Sequence, residues 1–449
     1  VEGGVNVKVD LPWGDGEVTV NVPPGWELVY PTGSAGIRPA GTDELEPVAE
    51  ALHSPAGTAP ICDRSLANQK IVIVVDDNTR PTPAWKFFHL IVDQLCAAGA
   101  RREDLLVLTA LGIHTPMTEE EMAAKIGADN AAALRWENHD AHDDSGNVYM
   151  GTTGRGTPVY LNRHVKEADF IVLVGLVEPH LMAGFGGGMK NILPGVASAG
   201  TIGAHHEILT EPPFKANRVG MMPDANSFRT DLEEARQMMD ADIFCVNVVL
   251  DPAGRITACF AGDPIDAHRQ GVAYTVKHSG LNMDRQVDGV ITNSRPMDFN
   301  FKQSMKCVGN ALPALKPGGV VMGFLRAQRG LDDLPDPDGS PLPLWMVKRI
   351  LRLIGPSRVY GFLNRMKKGI DIEEKFLHYY TLQLIREYEL YLYVPSLSEE
   401  EIKKLFFFTG FRENPEDIIA AGTRKLGENA VVAVFPEGGA TFPVQEDLS

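Results

Sequence analysis

Residues 71–75 read Ile-Val-Ile-Val-Val, an unbroken run of β-branched side chains. A run this short, apolar on both faces, fits a strand covered on both sides. Such strands belong to parallel sheets with helices packed above and below. Comparable runs occur at 104–109, 169–174 and 287–292, with further strands predicted at 319–324, 388–393 and 430–435. Stretches with helical spacing alternate with them, at 84–98, 118–126, 264–278, 303–312, 398–408 and 414–426. Thr118 and Glu121 are spaced as a capping box for the second of these. The alternation predicts an α/β fold with mostly parallel, doubly wound sheets. Two segments differ: 5–29 alternates around Gly14-Asp15-Gly16, and 244–259 turns at 251–254, so both read as hairpins. Residues 31–67 offer one short helix.

The chain, at 449 residues, is too long for one ordinary core, which predicts two domains. Ser279-Gly280 punctuates the pattern, so the boundary is expected at 280–286. The division is then an N-terminal α/β domain over 1–280 and a C-terminal α/β domain over 287–449, with the active site in the cleft between them. The 59 acidic residues outnumber 42 basic ones, and a net charge of -17 argues against nucleic acid as a partner. Cys62, Cys96, Cys245, Cys259 and Cys307 form no CxxC spacing, which argues against a disulfide framework or a zinc ribbon. No apolar run reaches membrane-spanning length and the start lacks a signal-peptide pattern. A cytoplasmic protein with no membrane partner is expected.

In open α/β sheets, ligands sit beyond the carboxyl ends of the strands, and the polar outliers of this chain fall there. Strand 71–75 runs into Asp76-Asp77-Asn78-Thr79-Arg80, 104–109 into Gly112-Ile113-His114, 169–174 into Glu178-Pro179-His180, and 287–292 into Arg295, Gln303 and Lys306. Each has a bland alternative. Asp77 and Arg80 could be a turn acid and a surface cation, His114 a satisfied loop histidine, His180 a half-buried structural ring. Gly184-Phe-Gly186-Gly187-Gly188-Met-Lys190 is not a P-loop, because the spacing is wrong and Asn191 stands where Ser or Thr is needed. A glycine run ending in lysine at a strand–helix junction still suits an anionic ligand. His205-His206 could be a helix-surface pair, and His139 and His142 with Asp140, Asp143 and Asp144 read as a solvated acidic loop.

Taken together, Asp77-Asn-Thr-Arg80-Pro, the Gly112-Ile-His114 turn, His180 through Lys190 to His206, and Gln303-Ser-Met-Lys306 resemble the nickel-pincer lactate racemase family of 2-hydroxy acid racemases and epimerases. The likeness runs through nearly the whole chain, including Leu11-Pro-Trp-Gly14. It implies a nickel-pincer nucleotide, a pyridinium mononucleotide whose two sulfur-bearing arms hold nickel, attached to Lys190 through a thioamide. His206 would be the protein ligand to nickel. His114 and His180 would be paired acid/base residues in a hydride-transfer isomerisation. Asp77, Arg80, Gln303 and Lys306 would hold the substrate, and Asp76, Thr79, Gly186, Gly187 and Gly188 would lie against the nucleotide. Implied partners are a small 2-hydroxy acid and, during maturation, the cofactor-synthesis enzymes. The chemistry is compatible: nickel accepts sulfur and imidazole donors, and the sulfur must come from the cofactor because no cysteine pair is near.

Two rival readings remain open on sequence. One is a zinc-type hydrolase built from His205, His206 and the loop around Asp140; the other is a non-catalytic nucleotide-binding protein using Lys190 for phosphate alone. This chain also departs from the family pattern. Lys302 stands where lactate racemases tend to carry tyrosine, and Arg295 stands in a turn that is usually glycine-rich. Both add positive charge to the substrate-binding set, so the hypothesis is a substrate larger or more anionic than lactate. Lys302→Tyr is then expected to reorder the rates over a panel of 2-hydroxy acids; an unchanged order removes the idea.

Overall fold

A computed structural model of the chain describes residues 7–33, 43–210, 218–251, 253–331, 339–355, 358–359, 361–362 and 372–444. They form two compact units, one from 35–278 and one from 1–34 together with 279–449. The first segment therefore does not belong to a domain over 1–280. The cause is strand pairing. Glu27–Val29 joins Val431–Phe435 in parallel, its Glu27 N–H donating to Ala430 O at 2.8 Å. Val9, Leu11, Val20, Val22 and Trp26 share a core with Ile291, Val320, Met322 and Val432. The alternation expected over 5–29 is thus a hairpin, Val7–Trp13 with Gly16–Val22, followed by this separate edge strand. Residues 5 and 6 lie outside the described residues.

The 35–278 unit is built on a six-stranded sheet. Its order is Ile256–Gly262, Asp242–Leu250, Phe170–Leu176, Ile71–Asp76, Leu105–Ala110 and Arg135–Asn138. The first pair is the expected antiparallel hairpin, and every other neighbour is parallel. Every residue of Ile71–Asp76 and of Phe170–Leu176 is buried, as their apolar runs require. The Ala84–Ala97 helix packs Phe87, Phe88, Ile91, Val92 and Leu95 against this sheet. Each such side chain contributes about 1.5–3 kcal/mol by leaving water. From Ile71–Asp76 the chain steps outward to Leu105–Ala110 and Arg135–Asn138, then returns to place Phe170–Leu176 on the other side. Connections therefore diverge at the Asp76 and Leu176 ends, and that divergence opens a crevice for a ligand. Asn147–Thr152 pairs with Pro158–Asn162 in a hairpin that the sequence pattern did not predict.

The other unit repeats the plan. Its all-parallel sheet runs Thr409–Phe411, Glu389–Tyr393, Leu315–Phe324, Val287–Asn293, Val431–Phe435 and Glu27–Val29. The reversal of direction here falls at Val287–Asn293. Helices Leu344–Ile354 and Ile372–Glu387 were not anticipated. The first packs Leu344, Val347 and Leu351 against Leu382 and Ile385 and leaves Trp345, Leu353 and Ile354 exposed. The helix expected over 303–312 is two short ones, Phe301–Ser304 and Lys306–Ala311, and the helix expected over 398–408 is only Glu399–Lys404.

A buried cation fixes the turn after Ile71–Asp76. Lys125 comes from Glu119–Ile126, a helix that opens with the expected Thr118/Glu121 capping box. Its ammonium pairs with Asp76 Oδ1 at 2.7 Å and donates to Arg80 O at 3.0 Å, with Thr82 O at 3.5 Å. Thr82 Oγ1 donates to the other oxygen of Asp76. Lys125→Met is expected to lower unfolding stability by roughly 3–5 kcal/mol, because it leaves the Asp76 carboxylate buried without a counter-charge. Asp76→Asn in the same background should restore part of the loss in a denaturant titration.

Candidate active site at the strand ends

The strand order brings the sequence-predicted residues of the 35–278 unit to one edge. Arg80 follows Ile71–Asp76, and Glu178 and His180 follow Phe170–Leu176; Arg80 Nη1 reaches Glu178 Oε1 across the divergence at 3.4 Å. His114 follows Leu105–Ala110, and its Nδ1 lies 2.6 Å from Asp77 Oδ2. Asp77 is buried, and its Oδ1 accepts from Thr79 N at 3.2 Å and Thr79 Oγ1 at 2.6 Å. Burial works against the Asp77 anion, but the bond from His114, helped by Thr79 and Arg80, holds the carboxyl below its ordinary range. The anion must accept, so His114 donates Nδ1–H and carries its lone pair on Nε2.

His180 is prepared the other way. Pro179–His180 and Gly184–Phe185 form a small antiparallel pair, and inside its turn His180 Nδ1 accepts from Met182 N and Ala183 N, each at 3.2 Å. A neutral ring that accepts at Nδ1 carries its proton on Nε2. One ring therefore offers an acceptor at Nε2 and the other a donor.

Lys190 lies in the short turn Gly188–Asn191. Among the described residues no hydrogen bond or ion pair reaches its Nζ. Burial of the ammonium, reinforced by the nearby Arg80 and Arg229, pushes its pKa down to about 7. An amine poised this way is a nucleophile at neutral pH. The glycines ahead of it are needed by packing. At Gly187, where φ is +79°, a Cβ would stand 2.8 Å from Leu176 O and 2.9 Å from Asn247 Oδ1; at Gly188 it would stand 3.1 Å from His268 Cβ and Pro264 O; at Gly186, 3.4 Å from Leu176 O. Their hydrogens face the protein interior, so the tract is pressed against the end of Phe170–Leu176. Asp76, expected against a nucleotide, has its carboxylate taken by Lys125 and Thr82 instead.

His206, on the Ala199–Glu207 helix, donates Nδ1–H to Ile202 O at 2.7 Å, which leaves the lone pair on Nε2 for a metal. Its neighbour is no surface residue. His205 is inaccessible, its Nδ1 is 2.7 Å from the equally buried Asp231, and its ring packs 3.9 Å from that of Phe228. Burial lowers the His205 pKa in spite of Asp231. Among the described residues no group of three or more His, Cys, Asp and Glu is placed to hold a metal ion. Asp140 and Asp143 instead accept backbone N–H groups of their own loop, from His142 and Ser145. The zinc-hydrolase reading therefore loses its ligand set. Cys245 and Cys259 are buried, and burial raises both thiols, Cys259 to about 12.

In the other unit, Arg295, Lys302, Gln303 and Lys306 all follow Val287–Asn293, the strand at which that sheet reverses direction. Asn300 caps the Phe301–Ser304 helix through Gln303 N, and Lys306 opens the next helix. Arg295 and Lys302 are exposed; Gln303 and Lys306 are half-buried. Sequence reasoning missed Lys125, Asp231, Arg229 and His268. Each lies within a helix, where a lone polar residue looks like any solvated position, and only tertiary contacts distinguish them.

The lactate racemase N-terminal domain family matches residues 13–216. Lactate racemase of Thermoanaerobacterium thermosaccharolyticum is 31% identical over 319 residues, covering 70% of this chain and 73% of that protein. Lactate racemase of Lactiplantibacillus plantarum is 30% identical over 329 residues, 72% of this chain and 76% of that protein. The solved lactate racemase apoprotein from T. thermosaccharolyticum superposes with a TM-score of 0.76 at 25% identity, covering 98% of this chain and 100% of that one. A Thermotoga maritima protein shares the fold, with a TM-score of 0.60 at 18% identity. Among the described residues no helix is long and apolar enough to cross a membrane. The chain belongs to the lactate racemase family of isomerases.

Proposed function

We propose that the protein racemises or epimerises a 2-hydroxy acid, using a nickel-pincer nucleotide attached at Lys190 with His206 as the protein ligand to nickel. The observation that carries this reading is the unpartnered Lys190 amine with a pKa of about 7, on the same unit as two oppositely prepared histidines. The residues fit the group. His206 offers a ring nitrogen, Lys190 a nucleophile, and the buried thiols cannot supply the sulfur. Lys190 would hold the group through Nζ as a thioamide, and His206 would hold its metal. When bound, the group would supply a centre able to take the α-hydrogen with its electron pair and give it back.

The remaining work falls to side chains. Arg80, engaged by Glu178 through Nη1 alone, keeps donors for the substrate carboxylate. His114 Nε2 takes the hydroxyl proton, and Asp77 fixes the ring and steadies the imidazolium that forms. His180 faces the hydroxyl of the opposite enantiomer. Its resting Nε2–H donates a hydrogen bond, and serving as base requires the proton to move to Nδ1, which releases the amides of Met182 and Ala183. Gln303, Lys306, Arg295 and Lys302 are assigned to substrate binding. The positive charge that Arg295 and Lys302 add supports a dicarboxylate or sugar acid in preference to lactate.

Protein made together with the cofactor-synthesis enzymes is expected to carry one adduct on Lys190 and one nickel by intact and peptide mass spectrometry, with none on Lys190→Ala. An unmodified Lys190 in active enzyme would defeat the assignment. His114→Gln and His180→Gln should each reduce isomerisation about 10²–10⁴-fold, and Asp77→Asn should act in the same direction. No isomerisation by the matured wild type, with reversible nucleotide binding that both histidine variants retain, would instead favour a non-catalytic nucleotide-binding role.

A further inference from the structure

Buried donors converge on the four residues 185–188 that lead to Lys190. Arg229, wholly inaccessible on the Ser227–Glu234 helix, donates Nη1 to Gly187 O at 3.1 Å and Nη2 to Phe185 O. His268, equally inaccessible on Asp266–Ser279, lies with Nε2 2.9 Å from Gly186 O. Its tautomer follows from its other side, where Arg269 Nη1 donates to His268 Nδ1 at 3.1 Å, so the proton is on Nε2. Burial, then Arg229 and Arg269, hold the His268 pKa far below the ordinary value, and the ring stays neutral. Asn247 Oδ1 completes the set by accepting from Gly188 N at 3.1 Å.

Arg229 is under-neutralised. Glu233, its nearest carboxylate, is 3.7 Å away and is held at 2.7 Å by Arg269, which also holds Asp224 at 2.8 Å. Among the described residues Arg229 Nε has no hydrogen-bond partner. We propose that Arg229, backed by His268, is the positioning residue of Lys190: it fixes the glycine tract that presents the amine and supplies a permanent positive charge beside it. The proposal deepens the cofactor-attachment reading and rests on it for its use, although the geometry needs no cofactor. The charged groups acting on Lys190 are Arg229 from Ser227–Glu234, Arg80 and Asp77 from the turn after Ile71–Asp76, and Glu178 from the turn after Phe170–Leu176; the neutral His205 is also close. A cation beside an amine disfavours its protonation and attracts an anionic electrophile.

The test uses the cofactor-free full chain and acetic anhydride as the amine probe. Short pulses across a pH series are read by peptide mass spectrometry, with the exposed Lys8 as internal standard. Wild-type Lys190 should be half-reactive near pH 7. Arg229→Met should move that midpoint upward by about one unit. Arg229→Lys keeps the charge and loses the fork, so the midpoint should hold while amide hydrogen exchange across 184–190 rises about tenfold. His268→Ala should raise exchange in the same window, and His268→Gln, which can still donate to Gly186 O, should reverse most of it. Wild-type midpoint in Arg229→Met with wild-type exchange in Arg229→Lys overturns the proposal. Where Arg229→Met does not fold, unchanged exchange in both Arg229→Lys and His268→Ala overturns it. Should these effects appear while matured enzyme bears no Lys190 adduct, the attachment fails and the positioning stands.

Discussion

A positive charge withdrawn from water must find lone pairs, and the cost of failing is several kcal/mol. In the 35–278 unit two such charges find them on backbone carbonyls of the turns that bear the candidate site residues. Lys125 binds the turn that bears Asp77 and Arg80, and Arg229 binds the tract that bears Lys190. Turns beyond strand ends are ordinarily the mobile part of an α/β sheet. Here each is tied from beneath by a cation that cannot leave without stranding itself. The side chains proposed to react thus inherit the rigidity of the core, and catalysis by positioning would need that rigidity.

The two histidines share a role in the proposed reaction yet differ in support. His114 rests on a buried carboxylate through a short bond, and His180 on two longer bonds from backbone amides. A carboxylate stabilises the charged ring; amide donors stabilise only the neutral one. Enantiomers must interconvert with an equilibrium constant of one, so this difference cannot favour one product. It can only divide the barrier unequally between binding and chemistry for the two directions.

Much of this was legible in the chain. The apolar runs at 71–75 and 169–174 became central strands, and the polar residues just beyond them meet at one edge, where a parallel sheet leaves its strand ends open to ligands. The resemblance that linked His114, His180, Lys190 and His206 led to the right family. Other features could not be read. Glu27–Val29 looks like the third pass of a local hairpin, and its partner lies near the far end of the chain. Asp76 looks as available as Asp77 until Lys125 is seen beneath it. Gly186 to Gly188 suggest a cradle for a ligand, and space is indeed short there, but the neighbour pressing on them is the protein's own backbone.

The unit that holds Lys190 is an insertion between two pieces of the other. Glu27 and Val431 must meet across roughly 400 residues of intervening chain. On a ribosome adding about 5–20 residues per second, that separation amounts to tens of seconds or more. The inserted unit has all its strands in hand long before then and can close first. The Val7–Val22 hairpin emerges before the inserted unit, so during synthesis Val9 and Leu11, with Trp26 just after it, wait for the core that later covers them. That interval is the period in which a nascent chain of this design is most open to chaperones or to misassociation.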